Sequence, residues 1–292
     1  MKTKSIEKIL QPIRHHWVGD GFRVNNFFPS NYGISMERMS PFLLLDYASK
    51  HHFPPSDTPK GVGVHPHRGF ETVTIAYKGS VQHHDSTGAG GIIGEGDVQW
   101  MTAANGILHK EYHEKEWSKQ GGIFQMVQLW VNLPATYKMS KPKYQAIENH
   151  SMSKYELENN KGVIEIIAGE YKGLKSNTFT FSPIHLFNAK LNKKAEVTFN
   201  FPTNYNTALL VIEGEIIINK EEQALSDHFV LMKNDGEEFS ITATENSIVL
   251  IMSGQDLNEP IASYGPFVMN TREELVTAFD DFNNGKFGYL ED

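Results

Sequence analysis

The sequence of 292 residues contains no cysteine. That absence excludes disulfides, cysteine-ligated zinc, all-cysteine iron clusters and thiol nucleophiles, so any metal must be held by nitrogen and oxygen donors. Long apolar runs are also missing. Phe42-Leu43-Leu44-Leu45 and Ile216-Ile217-Ile218 are strand-sized, well short of the roughly 20 residues that a membrane-spanning helix requires. Met1 to Ile13 carries Lys2, Lys4, Glu7 and Lys8 and lacks the apolar core of a secretory signal. A cytoplasmic protein with no membrane association is expected. Positive charge is in deficit, with 27 Lys and Arg against 35 Asp and Glu and a net charge of -8. A phosphate backbone would be repelled unless the basic residues gathered on one face, so direct nucleic-acid binding is not expected.

Helical periodicity is scarce before Thr271; short strands punctuated by Gly, Pro, Asn and Asp fill the rest. Glu71 to Tyr77 is rich in β-branched and aromatic residues, and Lys78-Gly79-Ser80 reads as a hairpin turn into Val81 to His84. Ala208 to Ile212, Glu213-Gly214 and Glu215 to Asn219 repeat the pattern, which suggests two related halves. Pro134 to Lys161 is polar and broken, and the boundary is placed there, giving an amino-terminal unit 1–138 and a carboxy-terminal unit 139–292. One helix is clear. Thr271-Arg-Glu-Glu274 has capping-box spacing, Leu275, Ala278, Phe279 and Phe282 recur at three- and four-residue intervals, and Gly285 follows as a stop. The pattern predicts an all-β fold of two antiparallel barrels in tandem, with this helix appended to the second.

His65-Pro66-His67 carries the most chemical information. On a strand, side chains at i and i+2 leave the same face about 7 Å apart at Cα, close enough for two imidazoles to tilt onto one ion. Pro66 disfavours the helix that would point them apart. His109-Lys110-Glu111 has the same spacing. Two such pairs on neighbouring strands of one barrel would converge as three imidazoles and one carboxylate, leaving two octahedral positions for water, dioxygen or a bidentate substrate. These donors suit iron(II) but also manganese, cobalt, nickel, copper or zinc.

His65-Pro-His-Arg-Gly-Phe-Glu-Thr72, Gly96-Asp-Val-Gln-Trp-Met-Thr102, Gly106-Ile-Leu-His109 with Glu111, Gln128-Leu-Trp-Val-Asn-Leu-Pro134 and Gly265-Pro-Phe-Val-Met-Asn270 resemble the pirin family of the cupin superfamily. The resemblance implies a bicupin of jelly-roll barrels, with one divalent metal, iron(II), in the first barrel, held by His65, His67, His109 and Glu111. The general cupin pattern would offer Glu71 as the carboxylate; the pirin pattern favours Glu111 and leaves Glu71 to orient a ligand or water. Ala104 stands where cupins carry a proline, and His113 where asparagine is common. With only His185 and His228 after residue 160, the second barrel is expected to be metal-free.

Two functions follow from the resemblance. One is a flavonol (quercetin) dioxygenase, in which a hydroxy-ketone chelates the metal and dioxygen opens the central ring with loss of carbon monoxide; its partners are an aromatic small molecule and dioxygen, with Glu111 as ligand and, once detached, base. The other is a metal-dependent regulator that binds a transcription-related protein. A metal that merely braces the barrel is the third, blander reading. Arg68 and Gln128 are candidates to line the site, whereas Trp100, Trp130 and Phe70 read as core. The adjacent pairs His15-His16, His51-His52 and His83-His84 face opposite ways on a strand, so none should chelate as a unit, and they are expected at the surface or in turns.

Overall fold

The computed structural model describes residues 2–29 and 32–292. The chain divides into two compact units that interleave in sequence. One holds Arg14–Glu37, Phe42–Asn149 and Leu257–Asp292; the other holds the chain up to Ile13, Arg38–Pro41 and His150–Asp256. The passage out of the first barrel therefore falls after Asn149 rather than after residue 138, and the terminal helix belongs to the first barrel's unit rather than to the second's. Both differences have a physical cause. The polar stretch read as a linker contains the strand Lys143–Ile147, which pairs with Val98–Thr102. The helix, Arg272–Asn283, buries Leu275 and Ala278 against Phe267, Met269 and Phe287.

The first barrel sets a seven-stranded antiparallel sheet against a four-stranded one. The larger sheet runs in the order Lys143–Ile147, Val98–Thr102, Phe70–Lys78, Gly122–Asn132, Phe42–Phe53, Phe22–Phe28 and His16–Val18. The smaller runs Gly61–His67, Ile107–His113, Val81–Asp85 and Gly90–Ile93. The period of two decides what each strand turns inward: along Ile107–His113, His109, Glu111 and His113 are buried while Lys110 and Tyr112 are half-exposed.

The two expected hairpins are not hairpins. Phe70–Lys78 pairs with Gly122–Asn132 and Val98–Thr102, whereas Val81–Asp85 pairs with strands of the opposite sheet. Tyr205–Glu213 and Glu215–Ile218 are separated in the same way. Gly79 (φ +86°) and Gly214 (φ +81°) turn the chain from the large sheet to the small one in each barrel, a left-handed conformation that glycine adopts without steric cost. The shared feature of the two halves is thus a corner of a jelly roll, and it supports their relatedness better than a hairpin would. Ala104 has φ +43°, which a proline ring, fixed near -65°, cannot adopt; alanine in place of proline fits the turn that leads to His109.

The second barrel repeats the arrangement with seven and four strands. Its interior is filled by Phe187, Phe199, Phe201, Phe239, Tyr171 and aliphatic neighbours. The expected capping box is present, with the Glu274 amide donating to Thr271 Oγ1 at 3.2 Å and the Thr271 amide donating to Glu274 Oε2 at 3.0 Å. Such a cap is worth about 1 kcal/mol. No helix among the described residues is long and apolar enough to cross a membrane.

Candidate metal centre

Gly61–His67 and Ile107–His113 lie side by side with His65 opposite His109, and a bulge then brings Glu111 opposite Val62. The bulge re-aims the end of the strand, as bulges beside functional sites do. The three imidazoles converge: ring centroids are 4.1 Å apart for His65 and His109, 4.8 Å for His67 and His109, and 5.0 Å for His65 and His67. Their ligand atoms lie within 4.8 Å of one another, as do those of His83, His109 and Glu111. His109 is common to both groups, and Glu111 clusters through it rather than directly with His65 and His67.

Hydrogen bonds settle which nitrogen each ring presents. His65 Nδ1 donates to the Gly63 carbonyl at 2.8 Å and His67 Nδ1 to the Pro266 carbonyl at 3.3 Å, which leaves Nε2 of each as a bare lone pair. His109 Nε2 is buried and has no hydrogen-bond partner among the described residues. A buried polar atom without a partner costs about 1–3 kcal/mol, and a cation facing it removes that cost. Burial, then the neighbouring imidazoles, holds His67 and His109 well below the ordinary histidine range, so both are neutral, the form that ligates metals. The donor set fits a transition-metal ion.

Glu111 is held from both sides. Its Oε1 accepts from Thr74 Oγ1 at 3.1 Å and Gln99 Nε2 at 3.3 Å, and its Oε2 accepts from Gln128 Nε2 at 3.4 Å. Gln128 therefore lines the site. Arg68 does not: its guanidinium donates to the Asn105 carbonyl, pairs with Asp281 at 2.9 Å and lies over the Phe287 ring, clamping the terminal segment. Glu71 falls on the strand face opposite to Phe70 and Thr74, where Thr102 Oγ1 donates to it at 2.7 Å. It cannot orient a ligand from there. Burial pushes its carboxyl up to about 7 despite that hydrogen bond.

A cleft of about 330 Å³ opens beside the cluster, walled by Phe22, Val24, Met126 and Trp130, with His65, His67, Glu111, Gln128 and Asp46 supplying polar atoms. Trp130, expected in the core, stacks on Phe70 at 4.2 Å and meets His67 edge-on at 5.3 Å. Its half-buried ring is a wall of the cleft. Asp46 was not anticipated, because it sits inside the apolar run Phe42 to Tyr47 with no motif around it; its register opposite Gln128 brings it to the cleft. Burial raises its carboxyl above the ordinary range. His83 was expected at the surface and is fully buried, since alternation along Val81–Asp85 turns it inward and His84 outward. A histidine on a strand flanked by buried Val81 and Asp85 at i±2 was the available signal.

His113 continues the inward face beyond Glu111 but is a satisfied core residue. Its Nε2 donates to the Gly21 carbonyl at 2.9 Å, and its ring packs among Phe53, Phe124, Trp117 and Phe22. Burial lowers its pKa to about 4. A histidine depressed on folding stabilises the native state fully above its unfolded pKa near 6.5, and that contribution is lost as pH falls toward 4. For metal-free protein His113 should therefore subtract roughly 3 kcal/mol at most from the urea-derived stability between pH 6.5 and 4. His67 and His109 titrate in the same sense, whereas Glu71, with its carboxyl raised to about 7, binds its proton first in the native state and acts in the opposite sense. The stability difference between wild type and His113→Phe should therefore fall with pH across this window, and a difference that does not change with pH would refute this share.

Two facing antiparallel sheets, repeated in a second unit and enclosing a histidine and glutamate cluster in the first, define a bicupin. The Pirin family model matches residues 21–131, and that of the Pirin C-terminal cupin domain matches residues 186–288. The chain belongs to the pirin family. It is 44% identical over 284 residues to a Pseudomonas aeruginosa protein named "Putative quercetin 2,3-dioxygenase PA2418", covering 97% of this chain and 98% of that one. It is 34% identical over 260 residues to human Pirin, covering 87% and 85%. Among solved structures, quercetin 2,3-dioxygenase from Acinetobacter baumannii superposes with a TM-score of 0.92 at 46% identity, covering 99% of this chain and 100% of that one.

Proposed function

We propose that this chain is a metal-dependent dioxygenase of flavonol-like hydroxy-ketones such as quercetin, with one iron(II) held by His65, His67, His109 and Glu111. The observation that carries the reading is the buried, unpartnered Nε2 of His109, in a ring whose ligand atom lies within 4.8 Å of those of His65 and His67, two residues that line the adjoining cleft. Similarity to proteins named quercetin 2,3-dioxygenase supports the substrate class. The metal would supply Lewis acidity that lowers the pKa of a substrate hydroxyl.

The remaining roles fall to the chain's own groups. Trp130, Phe22 and Met126 offer flat apolar walls for an aromatic ring system, and the cleft's volume lies within the range of small-molecule sites. Gln128, Thr74 and Gln99 hold the Glu111 carboxylate, so that an oxygen of Glu111 can accept a hydroxyl proton if it detaches. Asp46, a lining residue in register with Gln128, can accept a hydrogen bond from a second hydroxyl of a polyphenol. Aerobic incubation of iron-loaded protein with quercetin should bleach the flavonol absorption and release carbon monoxide. Absence of turnover with every reconstituted transition metal would overturn the reading.

A further inference from the structure

Beside the cluster lies a second histidine whose position needs an explanation. His83 is fully buried, its Nδ1 is 3.4 Å from His109 Nδ1, and its Nε2 is 3.5 Å from Asp85 Oδ2. The Tyr144 ring stacks on it at 5.3 Å with 19° between the planes. Both ring nitrogens are engaged, so His83 has no lone pair left for a cation although it stands within reach of one.

We infer that Asp85 and His83 form a positioning relay that fixes the tautomer of His109; the inference rests on the reading of His109 as a metal ligand. The argument runs through donors and acceptors. An ionised carboxylate can only accept, so the Asp85 contact places a proton on His83 Nε2. The contact between the two Nδ1 atoms needs one donor and one acceptor; with the His83 proton on Nε2, its Nδ1 is the acceptor and His109 carries the proton at the other end. His109 Nε2 is left as the lone pair, and it is that atom which is buried without a partner. Asp85 is itself fixed: its Oδ1 accepts from the Thr87 amide at 2.8 Å, Thr87 Oγ1 at 2.6 Å and the Ala89 amide at 3.3 Å. His65 and His67 are oriented by backbone carbonyls. Of the three, and among the described residues, His109 alone is oriented through a second side chain, which makes its donor strength depend on residues that do not themselves hold the ion.

Asp85→Asn tests this with little disturbance. The carboxamide oxygen must keep the three loop donors at the Oδ1 position, so its NH2 group faces His83 Nε2 and donates to it. His83 then carries its proton on Nδ1, and His109 must accept there and hold its own proton on Nε2. In metal-free protein, 15N-detected imidazole shifts should report His109 protonated at Nδ1 in the wild type and at Nε2 in Asp85→Asn. Cobalt(II) affinity, read from its visible absorption bands, should fall by about 10- to 100-fold. His83→Phe keeps the stack on Tyr144 and removes both ring nitrogens; it should give a mixture of His109 tautomers and a similar loss of cobalt(II) affinity. An Asp85→Asn protein with the wild-type His109 tautomer, or either variant with wild-type cobalt(II) affinity, would overturn the relay. A wild type that binds no cobalt(II) would instead sink the metal-ligand reading, and the tautomer comparison would still decide the relay.

Discussion

Replacing His109 by alanine is expected to abolish transition-metal binding, with affinity lost by far more than the roughly 100-fold that removal of an outer-shell partner produces. His109 is the ring shared by both groups of potential ligands, and it is fully buried. Neither neighbouring donor is free to swing into its place, because His83 has both nitrogens engaged and Glu111 is tied to Thr74, Gln99 and Gln128. The substitution also removes a hydrogen-bond partner from buried His83, at a cost of about 1–3 kcal/mol. His67→Ala, in a ring nearer the cleft, separates the two effects: metal binding should be lost to a similar degree with less change in melting temperature. Titration of iron(II) or cobalt(II) into both variants provides the measurement. Wild-type affinity in either would contradict the assignment.

Glu111→Gln has the second largest expected effect. The carboxamide matches the carboxylate in shape, yet it carries no charge and presents an NH2 group to a site already crowded with donors from Thr74, Gln99 and Gln128. The Gln99 or Gln128 amide must turn its oxygen inward to accept from that NH2 group, and the anionic ligand disappears. Metal affinity should fall by at least about 10-fold, and quercetin turnover measured at saturating iron(II) by about 100- to 10,000-fold, the usual range for loss of a general base. The split between the two quantities is informative. Turnover that returns to the wild-type rate once iron(II) is saturating would leave Glu111 as a ligand and remove its proton-accepting role.

The convergence of the two pairs is legible in the sequence, and the reason is periodicity. His65 and His67 at i and i+2, and His109 and Glu111 at the same spacing, can share a face only on strands, and both pairs do lie on neighbouring strands of one sheet. The capping box at Thr271 was legible for a similar reason, since every atom involved lies within four residues. Long-range placement was not. Nothing local to Pro266 indicates that its carbonyl orients His67, a contact spanning 199 residues. The hairpins at Gly79 and Gly214 failed on the same ground: local turn chemistry fixes the corner but not which strands pair beyond it. Asp46 lay hidden inside an apolar run. His83 and His84 are adjacent in sequence, but alternation along the strand separates one inward from one outward ring.

The most direct test is elemental analysis of protein purified without added metal and after anaerobic reconstitution with iron(II), repeated for His65→Ala, His67→Ala, His109→Ala and Glu111→Gln. Bound metal of about one ion per chain in the wild type after reconstitution, reduced in each variant while its fold is retained, is the expected outcome. A wild type that takes up no metal, or variants that retain the wild-type content, would contradict it.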